Sequence, residues 1–373
     1  MKKRKLVMFT SLPLVGGHST LTLGLCRLFF AWFEHIEVWV KVMPEHGHST
    51  DAQQSLEQQG CKVVMLSDTE GHLKPAAVAR ALWRNLLRPP DVFFALAMRN
   101  LSLVFRCLLF RAKGVYFHIT HDLNKKTRRW LGLAERVFTR LVFICPATYH
   151  DFDSRSGKCT WAPQSSELQG IDTDAVLRLK REHRQQEPRR MSVGLLGRLT
   201  REKGSQAILD FIGSCEQSCD FHVAGTGPFA REFEALAASC HENGPRVYFH
   251  GSYSPTKRME FLQGFFGSID WLLVPSLDEW ETLSMVTLES LQHGTPVLCS
   301  QAGGLRSFGM AELGPAPEKI VKLVDPKEFA RQLNEILASG RYDCGVRLSE
   351  CREHYATHFA DQQLVERWRR IVE

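Results

Sequence analysis

The sequence predicts an α/β protein of two Rossmann-like, doubly wound domains facing each other across a cleft. Short apolar, β-rich runs alternate with longer helical patterns, which is how βαβ units around a parallel sheet read in sequence. The alternation occurs twice, on either side of a highly charged break. A chain of 373 residues, 44% of them hydrophobic, has enough material for two cores and is too apolar to be disordered.

In chain order, the first set of strands is expected at Leu6–Phe9, Ile36–Val42, Lys62–Leu66, Val92–Ala95, Val115–Ile119 and Leu141–Ile144, with helices between them. The break runs from about Ser165 to Arg190, ends in KREHRQQEPRR and reads as a linker. The second set follows at Ser192–Leu196, Asp220–Ala224, Arg246–His250, Trp271–Val274 and Val297–Cys299. From Tyr355 to Glu373 a last helix carries Phe359, Leu364, Trp368 and Ile371 on a broad apolar side and is expected to cross back to the first domain. The domains so drawn are residues 1–170, 186–355 and the returning helix 356–373. In open sheets of this kind ligands bind at the carboxyl ends of the strands.

Charge is uneven. Residues 1–160 hold 23 Lys+Arg against 12 Asp+Glu, and residues 161–373 hold 24 against 29. A basic first half implies an anionic partner, phosphate or anionic lipid. Nucleic acid is not expected, because no zinc-finger spacing, RNP-like aromatic run or basic helix-turn-helix accompanies the charge. Eleven scattered cysteines without C-x-x-C fit a reducing compartment. The start lacks the apolar core of a signal peptide, and the most apolar region, Val92–Phe110, is cut by Arg99, Asn100 and Arg106. A cytoplasmic location is therefore expected. Trp83, Leu86 and Leu87 among Arg80, Arg84 and Arg88 have the spacing of a helix lying on an anionic membrane, at its inner face. The same spacing also fits an ordinary helix with a solvated basic side.

The stretch VPSLDEWETLSMVTLESLQHGTPVLCSQAGG, from Val274 to Gly304, is the most informative. Glu281 and Glu289 stand eight apart, roughly 12 Å along a helix, which suits the two ends of a nucleoside-diphosphate sugar. One carboxylate can accept from sugar hydroxyls and the other from the ribose, while the amides of a first helical turn hold phosphate. Glutamates so spaced also occur on exposed helices. Upstream, GLLGRLTREKG places Arg198 and Lys203 after a strand, where two cations can stabilise a leaving diphosphate; a solvated surface turn is the competing reading. VAGTGP supplies Gly225 and Gly227, which let backbone approach a ligand, and Tyr253 falls where it can border a base. Gly16 and Gly17 open a helix after the first strand, as a phosphate-binding loop or an ordinary β-to-α turn. FHITHD ends a strand and offers His121, with His118 as the alternate; a histidine there is catalytic or structural. His46-Gly47-His48 reads as a loop, with no further spaced metal ligand.

The run Pro275-Ser276, Glu281, Glu289, Gly294-Thr295-Pro296-Val297 and Gly303-Gly304 resembles, in order, the E-x7-E region of the family 4 glycosyltransferases. The resemblance is strong for Met191–Gly304, moderate for Leu6–Ser19 and Val115–Asp122, and faint between. It implies a GT-B fold and retaining, metal-free transfer from a nucleoside-diphosphate sugar, a UDP-sugar ahead of a GDP-sugar, to a glycan or lipid-linked acceptor in polysaccharide or lipopolysaccharide synthesis. It also implies that Glu281 contacts the donor sugar, Glu289 the ribose, the amides near Leu283 and Ser284 the diphosphate, Arg198 and Lys203 its charge, and that His121 sits close to the sugar. Gly16 and Gly17 match a glycine pair common in the family. Departures fall at Thr282-Leu283-Ser284, where Pro-Phe-Gly is commoner, and at Leu305-Arg306-Ser307, where many relatives place an acid. Alternatives of other classes are a GT-B nucleotide-sugar epimerase or phosphorylase, and a non-catalytic relative that binds a nucleotide sugar.

Overall fold

A computed structural model describes residues 4–14, 17–154, 156–164, 171–185, 190–239, 244–253, 257–339 and 344–373. Gly16 and parts of the charged break lie outside the described residues. The chain divides into two compact units, Met1–Ser166 with Phe359–Glu373, and Glu167–His358.

The first unit is a seven-stranded sheet in the order β3-β2-β1-β4-β5-β6-β7. Its strands are β1 (Lys5–Thr10), β2 (His35–Val40), β3 (Lys62–Met65), β4 (Val92–Leu96), β5 (Lys113–His118), β6 (Arg140–Phe143) and β7 (Cys159–Trp161), all paired in parallel. Parallel strands are covered on both faces, so β1 and β4 are continuous apolar runs with side chains almost wholly buried. Helices α3 (Pro75–Leu87), α4 (Arg99–Leu108) and α5 (Lys125–Val137) cover one face, where Ala81, Phe105, Leu131 and Ala134 join Phe9, Phe93 and Tyr116 in one cluster. Helix α1 (Gly17–Phe29) packs on the opposite face, followed by α2 (Thr50–Gln58). The last helix, α14 (Asp361–Val372), returns to this unit. Its Trp368 is fully buried, with ring centroids 5.0 Å from Phe117, 5.7 Å from Phe29 and 5.9 Å from Phe94. Helix α6 (Pro146–Phe152) lies between β6 and β7.

The second unit holds six parallel strands in the order β10-β9-β8-β11-β12-β13. These are β8 (Met191–Leu196), β9 (Cys219–Ala224), β10 (Arg246–Gly251), β11 (Trp271–Val274), β12 (Val297–Ser300) and β13 (Val321–Val324). One face is closed by α8 (Ser205–Ser214), α9 (Ala230–Ala238) and α12 (Phe329–Ser339), through Ile208, Ile212, Phe233, Leu333 and Ile336. Also present are α10 (Arg258–Gly267), α11 (Met285–Gln292) and α13 (Cys344–His358).

Two strands, β7 and β13, were not among those expected from the sequence. The larger correction concerns the break at 165–190, which is more than a linker: it contains helix α7 (Thr173–Arg184), part of the second unit. Asp172 caps this helix by accepting from the Ala175 N–H. Lys180, 2% exposed, donates from Nζ to the Ile269 carbonyl at 2.8 Å and to Thr295 Oγ1 at 2.9 Å. A segment that looked solvated because it is charged is thus fastened by one buried lysine.

Candidate functional site

In the second unit the chain moves outward from β8 through β9 to β10, then returns to lay β11 on the other side of β8. Strand order reverses between β8 and β11, and loops leaving such neighbours diverge and open a crevice at their carboxyl ends. Both loops carry predicted residues. Lys203, on the loop after β8, forms an ion pair through Nζ with Glu281 Oε2, from the loop after β11. Glu281 Oε2 also accepts from Ser276 Oγ at 3.2 Å, and the same hydroxyl lies 3.3 Å from the Glu202 carbonyl. The Leu277 N–H donates to that carbonyl at 2.8 Å, tying the two loops together through backbone as well. From the other side the Gly304 N–H donates to the Glu281 carbonyl at 2.7 Å.

Arg198 is not part of this cluster. Its side chain is about half exposed and pairs with Glu202, four residues on in the same loop, at 3.4 Å. The two cations expected to act together are therefore placed differently, with Lys203 held against Glu281 and Arg198 on the surface.

Glu289 lies in the middle of α11 and is 0% exposed. Its Oε1 is paired with Arg258, at the start of α10, a partner sequence reading did not single out. Burial pushes the Glu289 carboxyl above the usual carboxylate range, against the pull of Arg258. Tyr253 stacks on Phe261 with ring centroids 4.6 Å apart, and burial raises its hydroxyl, which adjoins Arg258. Glu281 precedes α11 and Glu289 lies within it, as the eight-residue spacing requires. Leu283 is fully buried, and Ser284 sits at the N-cap position of α11, its carbonyl accepting from Thr287 and Leu288. First-turn amides of such a helix have no intrahelical acceptor, and the local dipole favours an anion.

Gly225 and Gly227 have a structural duty. With φ of 141° and 153°, a side chain on either would run into the loop after β8: a Cβ on Gly225 would lie 1.7 Å from the Gly197 carbonyl oxygen, and one on Gly227 2.3 Å from that of Leu199. They let two strand-to-helix loops stack backbone on backbone, which accounts for them without a ligand.

In the first unit the reversal falls between β1 and β4. Gly17 opens α1 there, exposed. His18 Nε2 lies 3.0 Å from Thr10 Oγ1, and burial lowers its pKa to about 4, so the ring is neutral. Ala97, just past β4, adopts φ 58°, a strained choice for a residue with a side chain. His118 ends β5, 2% exposed, and burial drives its pKa to about 3. His121 stands in the following loop, fixed on both sides: Nδ1 is 2.7 Å from Thr148 Oγ1 and Nε2 is 3.2 Å from Asp151 Oδ2, both on α6. An imidazole oriented by a carboxylate has a set tautomer, a geometry His118 lacks. His46, expected in a loop, ends a short 3-10 helix, Pro44–His46, and His48 lies in the loop after it, its Nε2 2.9 Å from Gln53 Oε1. No helix of the described residues is long and apolar enough to cross a membrane.

Two doubly wound parallel domains with predicted donor-binding residues at a strand-order reversal define the GT-B glycosyltransferase class of fold. More particularly, residues 190–339 match the family model described as glycosyl transferases group 1. A D-inositol 3-phosphate glycosyltransferase from Corynebacterium jeikeium is 27% identical over 190 residues, which span 48% of this chain and 43%, less than half, of that relative. Among solved structures, HepE from Anabaena, with UDP and with UDP-glucose, is similar at TM-scores of 0.71 and 0.70 and 16% and 17% identity, over 98% of both chains. Sucrose-phosphate synthase from Thermosynechococcus elongatus is similar at a TM-score of 0.66 and 14% identity, over 99% of this chain and 98% of that one.

Proposed function

We propose that this protein is a retaining glycosyltransferase that moves a sugar from a nucleoside-diphosphate donor, a UDP-sugar ahead of a GDP-sugar, to a glycan or lipid-linked acceptor in cell-surface polysaccharide or lipopolysaccharide synthesis. The observation that carries the reading is the pairing of Lys203 with Glu281 across the two loops that part at the β8/β11 reversal, inside the segment that matches group 1 glycosyltransferases. The UDP and UDP-glucose complexes of HepE support a UDP-linked donor.

Lys203 and Glu281 neutralise each other. A donor exchanges that pairing for its own: diphosphate oxygens take the ammonium, and sugar hydroxyls donate to the carboxylate. As the glycosidic bond breaks, charge grows on the departing phosphate, and a cation already in place stabilises that state more than the bound donor. Arg198 joins from the surface, since an exposed pair such as Arg198–Glu202 is worth at most about 1 kcal/mol and yields readily. The departing phosphate takes the acceptor's proton, so no dedicated base is required. Side-chain cations do the work of a divalent metal.

Thermal shifts with UDP-, GDP- and ADP-sugars identify the carrier, because a ligand of the folded form raises Tm. With the matching donor and acceptor, Lys203→Ala should lower kcat by ~100-fold or more, EDTA should leave the rate unchanged, and product NMR should show the anomeric configuration retained. Wild-type turnover in K203A would remove Lys203 from the mechanism. Isomerised donor in the absence of acceptor would point to an epimerase.

A further inference from the structure

We propose that Arg258 is a positioning residue for the nucleotide: its guanidinium pairs with the buried Glu289 carboxylate, favours its charged form and turns it so that its second oxygen is left to meet the ribose hydroxyls. This rests on the reading of Glu289 as the ribose acceptor and adds the group that makes such an acceptor workable.

The geometry is a buried carboxylate with one oxygen used and one kept. Glu289 is 0% exposed; Oε1 is paired with Arg258, and Oε2 has no hydrogen-bond partner among the described residues. Leaving a buried carboxylate oxygen unmatched is costly unless something arrives to satisfy it. Arg258, its side chain 24% exposed, also adjoins the Tyr253 hydroxyl. Burial works against the guanidinium's charge, and Glu289 and Tyr253 outweigh it.

The other groups nearby do not replace Arg258. His293, one turn further along α11, gives its Nδ1 to the Glu289 carbonyl at 2.7 Å, and burial brings its pKa to about 4, so it is neutral. Lys180 on α7 and Arg352 on α13 act on His293, and the ammonium of Lys180 is committed to Ile269 and Thr295. Thr287, in the first turn of α11, has a buried hydroxyl without a partner among the described residues and brings no charge. Without Arg258, nothing else among the described residues offsets the burial of the carboxyl, and its equilibrium moves further toward the protonated form.

The test is UDP affinity by calorimetry from pH 6 to 9, with GDP or ADP substituted if the thermal-shift panel selects it, in wild type, R258M, R258Q, R258K and E289Q. Wild type sets the background, including titration of the nucleotide's own phosphate. Relative to it, E289Q should bind roughly tenfold more weakly at every pH. R258M should bind roughly tenfold more weakly at the acid end of this range and recover as pH rises, because the carboxyl then ionises without its partner. R258K should restore the wild-type profile. R258Q keeps an amide against the carboxylate without charge, preserves packing where Met is not tolerated, and should show the same recovery. E289Q binding like wild type would overturn the ribose reading itself. A weak E289Q beside R258M and R258Q whose ratios to wild type do not change with pH would overturn the role of Arg258 alone.

Discussion

Glu289 shows how far single residues could be read. Its place in an eight-residue spacing was visible; its burial, and with it the need for a cation, was not. Nor was it visible which of 47 lysines and arginines would answer, because Arg258 reaches it from a different helix, 31 positions away in the chain. Lys203 and Glu281, 78 positions apart, were legible because each falls in the loop after a recognisable strand. Arg198 had the same signal and lies on the surface, because sequence places a residue on a loop without saying where its side chain goes. Gly225 and Gly227 have the backbone freedom expected of them, and the loop after β8 fills the space beside Gly225. Gly225→Ala should therefore cost ~3 kcal/mol or more of stability through clash and a strained φ. A urea midpoint unchanged from wild type would show that the two loops do not need their present spacing.

At the level of elements, β1 and β8 could be read because strands covered on both faces must be apolar throughout. β7 and β13 escaped: both are short edge strands, and Cys159, Thr160 and Trp161 are only partly buried. Helix α7 was hidden by its own charge, since 12 residues with so many solvated side chains resemble a linker until the buried end of Lys180 is seen. The helix expected from Tyr355 to Glu373 is two: Tyr355 belongs to α13, which ends at His358, and α14 begins at Asp361, with Phe359 between them. Leu364, Trp368 and Ile371 form the buried side of α14, whose destination follows from the ring contacts of Trp368. Trp368→Ala should destabilise the protein by ~3–5 kcal/mol, as emptying an aromatic-lined site does, with Trp368→Phe recovering much of the loss. A melting temperature unaffected by the alanine change would mean that α14 is not anchored by this ring.

For the molecule as a whole, burial keeps several histidines neutral: His18 and His354 with pKa lowered to about 4, His118 to about 3 and His293 to about 4, from 6.5. The unfolded chain binds protons below about pH 6.5 that the folded one refuses, so stability is full above that pH and is lost as it falls toward 4. Urea unfolding followed from pH 7.5 to 4 should show this decline, and a flat profile would contradict the neutral assignments. Trp83 and Leu87, on α3, are each 66% exposed, and Arg80 and Arg88 are exposed on or just after the same helix, the spacing from which the sequence leads one to expect contact with an anionic membrane. Arg84 belongs inward instead, since its Nη2 lies 3.3 Å from Glu37 Oε1. R80E/R88E should lose binding to phosphatidylglycerol vesicles and keep its fold; undiminished binding would remove the basic side of α3 from that role. The two units also differ in how much sequence each has to wait for. Residues 167–358 are one uninterrupted stretch, whereas the first unit takes its last helix from 359–373. During synthesis on a ribosome, the second unit can close while the first still shows Phe29, Phe94 and Phe117 as an empty socket. Nascent chains halted before Trp368 should therefore be the ones that chaperones hold longest.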